Sequence, residues 1–136
     1  MIVTPISFGA LTLHNSTSHF SAKTIIVPYK AKIQLIELPG GVLFDTALGG
    51  DGPILPGHLT ASVVISSPST AALSTEIDTI FTFFGKLETL SVRKLDSTII
   101  TCDARIETIE LVHPFKIVTG TKTKVNLNFQ CITLFS

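Results

Sequence analysis

The chain has 136 residues, the size of one domain with a single core, and 45% of them are apolar but only 15% charged, against roughly 25% in an average soluble domain. Its net charge is zero, its pI is near 6.9, and its Lys and Arg residues are scattered, which argues against a polyanion such as nucleic acid as partner. A mean hydropathy of +0.51 leaves too little charge for a fully solvated skin, yet no apolar run approaches the ~20 residues of a membrane span, so the outer face is expected to be covered by protein.

Met1 to Leu13 is apolar but lacks a basic flank, the first lysine being Lys23, so it does not read as a secretory signal and assembly inside a cell is the expectation. Asn15 to Ser21 opens on four small polar residues and reads as a connector. Thr24 to Val27 and Tyr29 to Leu38 are rich in Ile and Leu and read as strands separated by Pro28, the second closing on a Pro39-Gly40-Gly41 turn. From Asp45 to Gly57 four glycines and two prolines predict the longest loop of the chain, and loops of that length in a compact domain are usually functional or disordered.

Period-two alternation then takes over, as a half-buried strand requires. Leu59, Ala61, Val63 and Ile65 alternate with Thr60, Ser62 and Val64. Ser69 to Phe84 breaks the pattern: Leu73, Ile77, Ile80, Phe81 and Phe84 recur at three- and four-residue steps, which predicts one amphipathic helix over about 69–85. Ser67, Pro68 and Ser69 supply its cap and first turn, and Gly85 its stop. Such a helix needs a sheet to lie on.

Leu87 to Leu95 turns through Asp96-Ser97 into Thr98 to Val112, a predicted hairpin. Within its second arm Ile100, Cys102, Ala104 and Ile106 share one phase, whereas Ile109 and Leu111 are out of step, which predicts a β-bulge or a crossing between sheets. Val125, Leu127, Phe129 and Cys131 alternate with Lys124, Asn126, Asn128 and Gln130 as a closing strand. Cys102 and Cys131 both fall on apolar phases and read as reduced, buried small hydrophobes, with a disulfide open to them if their strands pair.

Catalytic and ligand motifs are sparse. The Gly-rich loop lacks the Gly-Lys-Ser/Thr ending that places a lysine on a phosphate. Asp45 and Asp51 have no closing glutamate at calcium-loop spacing, and His14, His19, His58 and His113 form no zinc pattern. No Gly-x-Ser-x-Gly elbow occurs, and Glu107 and Glu110 read as solvated carboxylates. The expectation is a chain with no catalytic residues, cofactor or metal.

Leu38-Pro39-Gly40-Gly41-Val42-Leu43-Phe44-Asp45, the helix ending Phe84-Gly85-Lys86, the following Leu90-Ser91-Val92-Arg93-Lys94 and the closing Val125 to Cys131 together resemble the small tail proteins of long-tailed bacteriophages, most of all the distal tail protein group. The resemblance covers roughly Tyr29 to Phe135. It implies a mainly β, tail-tube-like fold: two antiparallel sheets packed as a sandwich or partial barrel, with one flanking helix. It also implies a structural virion protein, assembled in the host cytoplasm into a ring, usually hexameric, in the tail tube or baseplate beside other tail proteins. The long loop would then contact a neighbour through Asp45, Thr46, Leu48, Asp51, Ile54 and Leu55. The sequence ends soon after the closing strand, so the extra host-binding or carbohydrate-binding domain of many distal tail proteins is expected to be absent. The alternatives are a ligand-binding module that uses the 45–57 loop, and a head-tail joining or tail-terminator protein.

Overall fold

In a computed structural model, which describes residues 1–46, 50, 52–112 and 121–136, the alternating segments pair as their patterns require. Strand β1 is Val3–Phe8, β2 Leu11–Thr12, β3 His19–Ala31, β4 Leu35–Glu37, β5 Leu43–Asp45 and β6 Ile54–Ser66. Helix α1 is Thr70–Thr82, and β7 Glu88–Lys94, β8 Ile99–Val112 and β9 Lys122–Cys131 complete the order. Seven strands form one antiparallel sheet in the order β2-β1-β7-β8-β9-β6-β3, and β4 and β5 form a separate two-stranded sheet. The mainly β reading with antiparallel sheets and one helix holds, but the division is uneven, because almost all of the core belongs to the large sheet.

Register aligns the apolar phases. Leu59, Ala61 and Val63 on β6 stand opposite Phe129, Leu127 and Val125 on β9, and all six are buried. Leu90 and Val92 on β7 stand opposite Cys102 and Ile100 on β8. The predicted bulge lies at Glu107, where the β8–β9 register shifts between Ile106 and Thr108. The extra residue returns Ile109 and Leu111 to positions opposite Leu127 and Val125, so one strand changes phase without leaving the sheet.

The polar face is knitted across strands too. Thr60 Oγ1 donates to Asn128 Oδ1 at 2.7 Å, Ser62 Oγ donates to Asn126 Oδ1 at 2.6 Å, and Asn128 Nδ2 donates to Thr108 Oγ1. The sheet curls: β1 and β3, near its opposite edges, approach each other, and Ile6 O accepts from the Leu13 and His14 amides at 2.8 and 3.2 Å.

The helix closes the open side of this curl. Leu73 and Ile80 are buried in the same core as the sheet, with Ile77 and Phe83 partly buried against it. Fully buried side chains such as Leu73 and Ile80 each stabilise the fold by about 1.5–3 kcal/mol. The Phe8 ring lies 5.1 Å from Phe129 and 6.3 Å from Phe83, joining the first strand, the last strand and the helix end. Ser69 Oγ accepts from the Ala72 amide at 3.1 Å as the N-cap, and Gly85 takes φ +76° beyond the helix end. Phe81 and Phe84, expected on the buried face, are exposed; the helix stops at Thr82, and Phe83 turns inward in their place.

Three sequence expectations are corrected. Pro28 does not split a strand: β3 runs through it because β3 is an edge, where a missing N–H is tolerated. Residues 54–57, expected in the loop, are the start of β6, paired with β3. The N-terminal segment, for which no strand was expected, supplies β1 and β2, and the expected connector ends where β3 begins at His19.

Candidate functional site

Many of the exposed large apolar residues lie on an arm. Pairing between β6 and β9 begins at His58 and Gln130, so residues 54–57 of β6 pair with β3 alone, and β3 and β6 continue past the sheet as a two-stranded ribbon. At the root of the ribbon, Gly57 stands where a Cβ would lie 1.6 Å from Val27 O, so only glycine admits the crossing β3 backbone. Gln130 Nε2 donates to Gly57 O at 3.1 Å and ties the root to β9.

The hairpin of β4 and β5 is inserted between β3 and β6. Its turn is Pro39-Gly40-Gly41, with φ of +91° and +80° at the glycines, and the Leu38 amide donates to Val42 O at 2.7 Å. Ile36 pairs with Phe44, Leu35 with Asp45 and Glu37 with Leu43, so apolar side chains occupy both faces of the hairpin. Most stay half or more exposed: Ile33 is 72% exposed, Leu43 61% and Val42 60%, Tyr29, Leu35, Ile36 and Ile54 are exposed as well, and Phe44 is the most covered at 39%.

Register extends this apolar character across one end of the large sheet. The arm end of β6 corresponds to the C-terminal end of β9, the start of β8, the end of β7 and the start of β1. Ile132, Ile99, Leu95 and Ile2 lie at or just beyond those strand ends and are exposed. The opposite end carries an open cavity of about 580 Å³ lined chiefly by the residues 14–20 loop, Ser66 and Lys122, with Phe20 exposed beside the polar side chains. That loop is pinned by Asn15 Oδ1, which accepts from the Thr17, Ser18 and His19 amides at 2.8–3.0 Å.

Of the six contact residues predicted from sequence, four are brought to the arm. Asp45 ends β5, and Thr46 donates from both its amide and its hydroxyl to Gln34 O at 3.1 Å, closing the hairpin. Ile54 and Leu55 open β6 opposite Ala31 and Lys30, exposed. Leu48 and Asp51 lie outside the described residues. Missed were Tyr29, Ile33, Leu35, Ile36, Val42, Leu43 and Phe44, although a stretch from Ile33 to Phe44 with seven large aliphatic or aromatic residues and one charge carries a readable signal.

Other reactive groups are few. His19 is buried, with Nδ1 2.5 Å from Thr12 O and Nε2 3.2 Å from Glu76 Oε2, and so joins β2 and β3 to α1. Glu107 and Glu110 are exposed. Among the described residues no three His, Cys, Asp or Glu side chains converge on a metal position, and no helix is long and apolar enough to cross a membrane. The chain matches no protein-family model, and no curated protein is significantly similar to it.

Proposed function

We propose that this chain is a structural subunit of a bacteriophage tail, a non-enzymatic virion protein that forms a ring by packing against copies of itself in the tube or baseplate. The observation that carries the reading is the arm, whose apolar residues are exposed on both faces. An isolated two-stranded hairpin is at best marginally stable in water and needs a packing partner. A patch of this kind marks an interaction site.

Magnitudes favour a cooperative contact. Covering the exposed parts of Ile33, Leu35, Ile36, Val42, Leu43 and Phe44 returns on the order of 5–10 kcal/mol, which is comparable with the roughly 4–15 kcal/mol that association costs. The arm therefore holds a neighbour when the open edge β3 or the apolar end of the sheet joins the contact. The resemblance of Leu38 to Asp45 and of the closing strand to distal tail proteins favours a six-membered ring and neighbouring tail proteins as further partners. A tail-terminator or head-tail joining ring would use the same contact.

The test is native mass spectrometry of the chain, alone and expressed with its genomic neighbours, together with peptide mapping of purified virions. A discrete ring mass and presence in virions support the reading. A strict monomer under every one of these conditions, absent from particles, overturns it.

A further inference from the structure

Strand β8 has a strand on both sides over only part of its length. Strand β9 flanks it from Ala104 to Val112, whereas β7 flanks it only from Ile99 to Ala104. Past Ala104 the side that faced β7 meets one bridge, Phe84 with Ile106, and from Glu107 to Val112 no strand pairs with it among the described residues. Glu107, Thr108, Glu110 and Leu111 are exposed along this stretch. A free row of backbone N–H and C=O groups is a template for one more strand.

The helix end meets this edge through Phe84 and brings apolar surface to it. Phe81, Phe84 and Leu87 recur at three-residue steps and are 45%, 52% and 49% exposed. Two cations stand with them: Lys86, whose Nζ lies 5.5 Å from the Phe83 ring centre, and Arg105, whose Nη1 donates to Gly85 O at 2.6 Å. Glu88 does not offset them, because its carboxylate is turned onto Gly9, where an added Cβ would lie 2.8 Å from Oε2. Farther along the edge the charges are those of Glu107 and Glu110, so the strip runs from positive to negative. The arm carries the same two signs, with Lys32 at its root and Glu37 next to its turn, both exposed. Lys32 and Glu37 are five residues apart, as are Arg105 and Glu110, which is about 16 Å in an extended chain.

We propose that the open half of β8 and the helix end of one copy receive the arm of a second copy, with the outer edge of β4 added as a strand. Neighbouring strands in both sheets run antiparallel. The same sense here sets Glu37 beside Arg105 and Lys86, and Lys32 beside Glu110. The apolar side chains of the hairpin then lie on Phe81, Phe84 and Leu87, and two unpaired strand edges close on each other. This rests on the reading of the chain as a self-assembling subunit and names the seat of its arm. Arm and seat are different surfaces of one chain, so each copy gives one arm and receives one, as a ring requires.

The experiment uses the full chain in its assembled state. The photo-cross-linking residue p-benzoylphenylalanine replaces Leu43, which is 61% exposed, isotope-labelled and unlabelled copies are mixed, and the cross-linked peptides are mapped after illumination. The expected cross-links join different copies and fall in residues 81–87 or 107–112. Charge reversal gives a second reading by sedimentation velocity: E37K and K86E each weaken self-association about fivefold, and the two together in one chain bring it back to within about twofold of wild type. Cross-links between assembled copies that map elsewhere, or a double variant as weak as the two singles combined, overturn the seat and leave the ring reading standing. A chain that stays monomeric both alone and with its genomic neighbours overturns the two together.

Discussion

Gly57 and Val27 come so close that a Cβ on the glycine would lie 1.6 Å from the Val27 carbonyl oxygen, and this approach sets the root of the arm. The obstructing atom belongs to the backbone of a paired strand, so it cannot swing aside as a side chain would. Gly57→Ala is expected to cost about 2–4 kcal/mol, read as a fall in denaturation midpoint. Hydrogen exchange places the lost protection in residues 26–31 and 54–58. An alanine variant with wild-type stability would show that β3 can move away freely.

Charge on the arm separates assembly from folding. Ile36 and Phe44 are cross-strand partners that stay 52% and 39% exposed in the single chain, so I36D and F44D are expected to cost the monomer no more than about 1 kcal/mol. In the assembly a buried, unpaired carboxylate weakens association tenfold or more. Sedimentation velocity over a concentration series reads both species. Unaltered self-association of both variants would remove the arm from the contact.

Glu76 on α1 and Thr12 O hold the two ring nitrogens of His19, so the helix is fastened to the sheet by a polar link at its middle and by Phe83 and Phe8 at its C-terminal end. His19→Leu leaves the Thr12 carbonyl and the Glu76 carboxylate without this partner and is expected to cost about 1–3 kcal/mol. Glu76→Gln keeps an acceptor oxygen and costs less. Denaturant titration of the two variants gives the order.

Asp96 makes the β7–β8 turn sensitive to acid. Its Oδ1 accepts from the Thr98 amide at 3.0 Å, and this bond, with help from the Thr98 hydroxyl and Lys94, lowers the carboxyl pKa from its ordinary 3.8. A depressed folded value means that the unfolded chain takes up the proton first as pH falls. The turn's contribution is therefore complete above the ordinary value and is lost as pH drops through the lower folded one. Carbon-detected NMR titration of the Asp96 carboxyl should give a midpoint below 3.8, and in a Thr98→Pro variant, which lacks the donor, the midpoint should move back up.

The parts of this fold legible in the sequence are those where one side chain in two, or one in three or four, had to be buried. Val63 opposite Val125, the phase change after Ile106 and the Ser69 cap were all readable because each is a local pattern with one physical cause. Pro28 and Gly57 misled for the opposite reason. Each disfavours a central strand when taken alone, yet here one sits on an edge and the other makes room for that edge, a relationship between residues far apart in the chain. Strand β1 was hidden by Pro5 and by a register shift beside it that breaks its alternation. The arm was legible as composition and not as shape: a greasy stretch from Ile33 to Phe44 predicts burial, and its exposure emerges only when the ribbon is followed beyond the end of β9.

The segregation of Ile2, Leu95, Ile99 and Ile132 to one end of the sheet, and of the His14 to Phe20 loop to the other, gives the molecule a direction. Should copies pack side by side as proposed, with their strands aligned, the layer would present Ile2, Leu95, Ile99 and Ile132 on one face and the residues 14–20 loop on the other, so its two faces would offer different seats to whatever docks on them.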